Sequence, residues 1–159
     1  MDSEEMRNWA TVVAASVALL VFLVNSFLML RNRRIDNLGR FIKSHRELFQ
    51  PDGYIAANLT AMEAGRLVRN VDDDAMEVRF HLMLTEIEHL ALLANNHAVP
   101  RPTQVYMFGW YATHIHGVIT NRERENMSWE LALGYLDALV LDTARYRQLT
   151  RAERERFWR

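Results

Sequence analysis

The chain has no cysteine. Disulfides and thiolate metal sites are thereby excluded, which fits a cytoplasmic domain. Lysine is almost missing: the 19 cations are 18 arginines and Lys43. We read that bias as the codon usage of a GC-rich bacterial genome, not as function. The three prolines stand at 51, 100 and 102, in stretches that read as turns. Alternating β-branched runs bounded by turn residues are absent, so no strand is expected. There is no internal repeat and no low-complexity linker. Charge, finally, is missing altogether from Ala10 to Leu30.

A helix rises about 1.5 Å per residue, so residues 10–30 reach roughly 31 Å, the thickness of a bilayer's hydrocarbon core. They are expected to form a transmembrane helix. Asp2, Glu4 and Glu5 precede it against one cation, Arg7; Arg31, Arg33 and Arg34 follow it. Positive charge stays on the cytoplasmic side. Residues 1–9 are therefore expected outside, and residues 31–159 in the cytoplasm of a bacterial inner membrane. Trp9 suits the outer headgroup layer. A cleaved signal peptide needs a basic start and a small-residue cleavage site. Here the start is acidic, and Phe27 to Leu30 run straight into arginines, a stop-transfer pattern. A buried core helix is the weaker rival, because 18 or more uncharged apolar residues usually span.

Inside the span, Ala14, Ala15, Ser16 and Ala18 form a small-residue patch, and Asn25 and Ser26 are polar. Membrane helices associate through both kinds of feature, although an interhelical hydrogen bond contributes only about 0.6 kcal/mol. Asn25 could equally reach interfacial water, which leaves self-association open. No ring of charge suggests an ion pathway.

After the span, Ile35, Leu38, Ile42, His45 and Phe49 recur at helical spacing, so 31–50 reads as an amphipathic stalk in which Gly39 allows a bend. Pro51-Asp52-Gly53 ends it. Residues 54–149 read as the main helical bundle. A helix is expected over 54–71, with a small-residue face of Ala57, Ala61, Ala64, Gly65 and Val68. One of Asp72, Asp73 and Asp74 should cap the next helix. That capping role is sufficient to explain the triplet without Mg²⁺. Residues 75–96 carry one apolar stripe through Met76, Phe80, Met83, Ile87, Leu90 and Ala94. A second, Arg79, Leu82, Glu86, His89 and Leu93, runs beside it, so this helix is expected in the middle of the bundle. His97 to Pro102 is a connector. Thr103 should cap a helix to about Asn121, with Gly109 and Gly117 admitting close neighbours. A charged turn, 121–127, precedes a helix over 129–149 capped by Ser128. Its stripe is Trp129, Ala132, Leu136, Leu139, Thr143 and Tyr146. The expected architecture is all-α: one transmembrane helix and a cytoplasmic bundle of about five helices.

Residues 31–159 carry 18 cations and 17 anions, so no basic excess points to nucleic acid. Arginine accumulates only near the end, where 150–159 form a basic tail ending in Phe157, Trp158 and Arg159. It could lie on an anionic membrane surface or be a solvated helix end; Glu153 and Glu155 dilute it and favour the second.

Chemistry is scarce. There is no Gly-x-Ser-x-Gly, no glycine-rich phosphate loop and no His-Glu-x-x-His. Glu86-x-x-His89 puts both side chains on one helix face, half of a di-iron bundle motif. With His116, and Asp137 nearby, it forms a conceivable divalent-metal cluster. The competing reading pairs Glu86 with Arg79 or another arginine and makes the histidines packing residues; with half the ligand set present, it weighs more. Arg66, Arg69 and Arg79 could meet the phosphates of a nucleotide.

Phe80, Glu86, the Leu90–Leu93 run, Val105, Phe108 and Tyr111 together resemble a family of small bacterial proteins. These carry a helical domain of unassigned activity, often behind a single N-terminal span. The likeness covers about residues 80–119. It implies the anchor and the bundle, and brings no activity, cofactor or catalytic residue. The expected function is an interaction or oligomerisation module of a membrane complex, in contact with lipid and with a homo-oligomeric or other protein partner. An enzyme is the less favoured expectation: the alternatives are a metal-binding enzyme or sensor using Glu86, His89 and His116, and a nucleotide sensor coupled to the membrane helix, and no resident cofactor is expected beyond that divalent metal.

Overall fold

The computed structural model describes residues 2–96 and 99–157, with the side chains of Glu5, Met6, Arg34 and Phe157 left out. Every regular element among them is helical: α1 Ser3–Glu47, α2 Tyr54–Glu63, α3 Asp74–Asn95, α4 Arg101–His116, α5 Asn121–Arg124, a 3-10 turn Met127–Trp129, α6 Glu130–Gln148 and α7 Arg151–Phe157. The chain divides into a first unit ending at Asp36 and a second starting at Asn37.

The first unit is helix throughout its described length after Asp2. Its apolar window is long and hydrophobic enough to cross a membrane by length and composition, and none of that window is buried. The polar side chains inside it behave differently from one another. Thr11 and Ser16 donate back to the carbonyls of Arg7 and Val12, at 2.9 and 2.8 Å, which satisfies them within the helix. Among the described residues, the Asn25 amide has no such partner.

The second unit is built on three long helices. α4 and α6 pack most closely, where Gly109 faces Thr143: a Cβ at position 109 would overlap the Thr143 hydroxyl. Phe108, Ala112 and Ile115 of α4 meet Ala132, Leu136 and Leu139 of α6 in the core, all fully buried. α3 adds Phe80, Leu84, Ile87 and Leu90. Phe41, near the end of α1, and Leu48, just beyond it, complete the core together with Tyr54, Ile55 and Met62 of α2. His45 ties this part of α1 to α4 through a 3.0 Å hydrogen bond to the Met107 carbonyl. Its ring lies 4.8 Å from Phe49.

Gly39 lies within α1, so the stretch after the apolar window continues the first helix as far as Glu47. Several local expectations are corrected. The helix expected over 54–71 stops at Glu63. Gly65 takes a left-handed φ of 63°, and the N–H groups of Gly65 and Arg66 donate to Met62 and Ala61 at 2.9 and 2.8 Å. That reversed pattern of hydrogen bonds closes a helix. The small-residue face assigned to this helix is consequently not a packing face: Val68 is 81% exposed, and Tyr54, Ile55 and Met62 are the buried positions. α3 does not sit inside the bundle with apolar neighbours on both stripes, because Leu82 is 62% exposed. Its first stripe is the core face.

The caps also differ in part. Asp73 caps α3 by accepting from the Met76 N–H at 3.1 Å, as the triplet suggested. Thr103 caps nothing, because α4 begins two residues earlier, behind Pro100. α4 ends at His116 with exposed Gly117 as its cap, so only Gly109 of the two glycines admits a close neighbour. Asn126 rather than Ser128 starts the last long segment, its side chain accepting from the Ser128 N–H at 3.0 Å. His97 and Ala98 of the expected connector, and Trp158 and Arg159 of the basic tail, lie outside the described residues.

Candidate functional site

Two features of the second unit combine polar side chains with restricted access. The first is a groove between the end of α1 and α3. One part, about 330 Å³, lies among Glu47, Leu48, Asp52, Arg79, Leu82 and Glu86. The other, about 380 Å³, lies among Arg40, Lys43, Glu47, His89, Leu92 and Leu93. Glu47 belongs to both walls. The second stripe of α3 therefore faces this groove along its whole length, where no other helix covers it.

The second feature is a buried ion cluster. Once α2 has ended at Gly65, the following segment runs back over α3 and carries Arg69 inward. The Arg69 guanidinium is 3% exposed and bridges two carboxylates. It donates to both oxygens of Glu77 at 2.5 Å, and to both oxygens of Glu123 at 2.9 and 3.0 Å. It also lies 3.7 Å above the Phe80 ring. Glu123 is positioned by its own short helix: Thr120 ahead of α5 donates its N–H and hydroxyl to Glu123 at 2.9 and 2.6 Å.

The charges explain one another. Burial alone would raise the Glu123 pKa, but hydrogen bonds from Arg69 and Thr120 reverse this and hold it down at about 2. Hydrogen bonds from Arg69 likewise lower Glu77. Burial opposes the charge on Arg69, and its two carboxylate partners more than compensate, raising its pKa. Burial pushes the adjacent Tyr54 phenol up to about 12. Its hydroxyl is buried without a hydrogen-bond partner.

Glu77, His81 and Glu123 bring ligand-type atoms within 4.8 Å of one another, the one such group of three among the described residues. The cation between the two glutamates is already supplied by Arg69. His81 stands at the edge, its ring stacked 5.7 Å from Trp129 and its Nε2 3.9 Å from Glu123. Chemically this is an ion-paired clamp, one guanidinium shared by two carboxylates, tying the 66–73 segment, α3 and α5 together.

The residues singled out from sequence fall elsewhere. Glu86 and His89 do face each other, with Nδ1 3.4 Å from the carboxylate, in a pair open to solvent. Glu86 thus meets His89 rather than Arg79. His116 is apart from them: its Nε2 contacts Asp137 at 2.9 Å and Arg124 at 3.1 Å. The expected Glu86, His89 and His116 cluster is not assembled among the described residues, because α3 turns the first two toward α1 while α4 turns His116 toward α6. Arg69, considered for phosphate, is committed to its two glutamates. Ala14, Ala18 and Asn25 of the first unit are exposed, Ser26 is partly so, and Arg31 and Arg33 are exposed; the Arg34 side chain lies outside the described residues.

Sequence reasoning missed Arg69, Glu77, His81 and Glu123 as a group. Two signals could have found them: Gly65 as a helix terminator, and Thr120-x-x-Glu123 as a capping box. No family model, curated protein or solved structure matches the chain. The resemblance drawn over residues 80–119 gains no support from those comparisons.

Proposed function

We propose that this is a single-pass bacterial inner-membrane protein whose helical domain is an interaction and oligomerisation module of a membrane complex. Residues 1–9 lie outside and residues 31–159 in the cytoplasm. The observation that carries the reading is the complete exposure of the apolar window in α1. Twelve of residues 10–30 are Val, Leu or Phe. At about 0.3–0.6 kcal/mol each on an insertion scale, they favour lipid by roughly 4–7 kcal/mol. The same surface in water would be an aggregation hazard. The partnerless Asn25 amide, with Ala14 and Ala18 on the same helix, is consistent with a second membrane helix as neighbour.

Catalysis receives no comparable support. The buried charges are ion-paired within the chain, and the Glu86–His89 pair is a half-motif without further ligands among the described residues. Purification in mild detergent tests the proposal. The expected particle is larger than a monomer plus its detergent belt, or carries a stoichiometric second protein. A strictly monomeric particle without a companion contradicts the module reading.

A further inference from the structure

Resting on the module reading, we propose that the groove between the end of α1 and α3 binds an amphipathic helix of a partner protein, basic at one end and acidic at the other.

Its floor is the second stripe of α3. From Arg79 to Leu93 this stripe spans roughly 21 Å, enough for about four turns of a bound helix. Helix-in-groove recognition uses apolar anchors at i, i+3, i+4 and i+7. The floor offers Leu82, exposed at one end, and partly buried Leu93 at the other, with exposed Leu92 beside it on the groove wall. The bundle's core is complete without Leu82 or Leu92, so folding does not explain them.

Charge on the rim is segregated, and that specifies the occupant. Glu47, Asp52 and Glu86 outnumber Arg79 around the first part. Around the second part Arg40 and Lys43 outnumber Glu47, the carboxylate that both parts share, beside His89. The internal pairs along this rim are weak: Lys43 to Glu47 is 3.9 Å with the ammonium largely exposed, and Glu86 to His89 is 3.4 Å. These side chains are free to change partners when a helix arrives. A bound helix thus places basic residues over Glu47, Asp52 and Glu86, and acidic residues over Arg40 and Lys43. Opposed potentials of this kind fix register and suppress wrong partners.

Two identical grooves lying parallel set Arg40 and Lys43 of one copy against Arg40 and Lys43 of the other, so a parallel pair of copies does not satisfy this pattern.

Site-specific photocrosslinking of the full-length chain in its native cells tests the proposal. A photoreactive amino acid replaces Leu82 or Leu92 in the groove, and Val68 or Leu141 as exposed controls outside it. The expected result is one protein adduct from positions 82 and 92, absent from 68 and 141. Mass spectrometry of the adduct should map both crosslinks to one helical segment, its basic end joined at 82 and its acidic end at 92. The exposed substitution Leu82→Arg, which removes an apolar anchor and sets a cation against the basic end of the bound helix, should reduce the adduct from position 92 at least tenfold while leaving the thermal melt unchanged. No groove adduct, equal adducts at the controls, an adduct between two copies of this chain, or the opposite polarity each overturn it. Adducts confined to 68 or 141 would refute the groove while preserving the module reading.

Discussion

Replacing Arg69 with methionine should show how far the buried cluster holds the domain together. Methionine keeps much of the side-chain length and the contact over Phe80, but removes the charge. Glu77 and Glu123, 8% and 1% exposed, would then be left facing each other without a cation. Breaking a buried pair by removing one partner costs about 3–5 kcal/mol, because the remaining charge is buried and uncompensated. A whole domain is typically stable by about 5–15 kcal/mol, so the loss is large. For a domain of this size, the melting midpoint should fall by roughly 10–20 °C.

The pH dependence should change sign as well. In the native chain Glu123 is held at about 2, against an ordinary value of 4.5. Its stabilising contribution is complete above 4.5 and is lost as pH falls from there toward 2. In Arg69→Met the guanidinium is gone; Thr120 still donates to Glu123, but burial and the repulsion between the two carboxylates raise Glu77 above its ordinary value. The folded variant then binds more protons than the unfolded chain, so its stability rises as pH falls from 7 toward 5. Thermal melts of the detergent-solubilised proteins, followed by circular dichroism at 222 nm, read both effects. Adding Glu77→Gln and Glu123→Gln to the variant should recover part of the loss at pH 7. A variant within about 1 kcal/mol of the native chain, or one with unchanged pH dependence, would refute the reasoning.

Three other outcomes follow from particular contacts. Gly109→Ala should destabilise by about 1–3 kcal/mol despite alanine's better helix propensity, because its Cβ overlaps Thr143; combining it with Thr143→Ala should cost less than the two separate losses added together, as a double-mutant cycle would show. Burial lowers the His45 pKa below 6.5, its Met107 carbonyl bond opposing in part, so its contribution is complete above 6.5 and lost as pH falls through the lowered value; an imidazole NMR titration should place the midpoint below 6.5, and His45→Phe should remove that acid loss from the melts. If Asn25 bonds across a membrane helix pair, Asn25→Leu should weaken association by about 0.6 kcal/mol, roughly threefold in a detergent sedimentation or FRET assay.

The helical class was legible because long apolar stripes at helical spacing dominate residues 75–148. Phe80, Ile87, Phe108, Ile115, Leu136 and Leu139 all read as core and are buried. What periodicity could not convey was which stripe of α3 would find a cover. Leu82 looks like a core position in one dimension, and is exposed because the end of α1 stands beside it instead of over it. Helix ends were harder still. Gly65 was read as a small packing residue, and its left-handed turn went unnoticed, so Arg69 was kept on a helix surface. Once Arg69 was misplaced, its two acidic partners could not be paired with it. The charged 121–127 stretch concealed Glu123 for a related reason: a run of alternating charge looks solvated, and only the cap at Thr120 marks one acid as fixed.

Membrane partition of the full chain tests the central claim most directly. Cells expressing it are lysed, the membranes are washed in alkaline carbonate and the fractions are separated by ultracentrifugation. The account predicts that the protein stays in the pellet and is released by detergent alone, while a chain with Leu20→Arg and Leu23→Arg, costing about 5–7 kcal/mol of insertion, appears in the supernatant. Native protein recovered in the supernatant would contradict it.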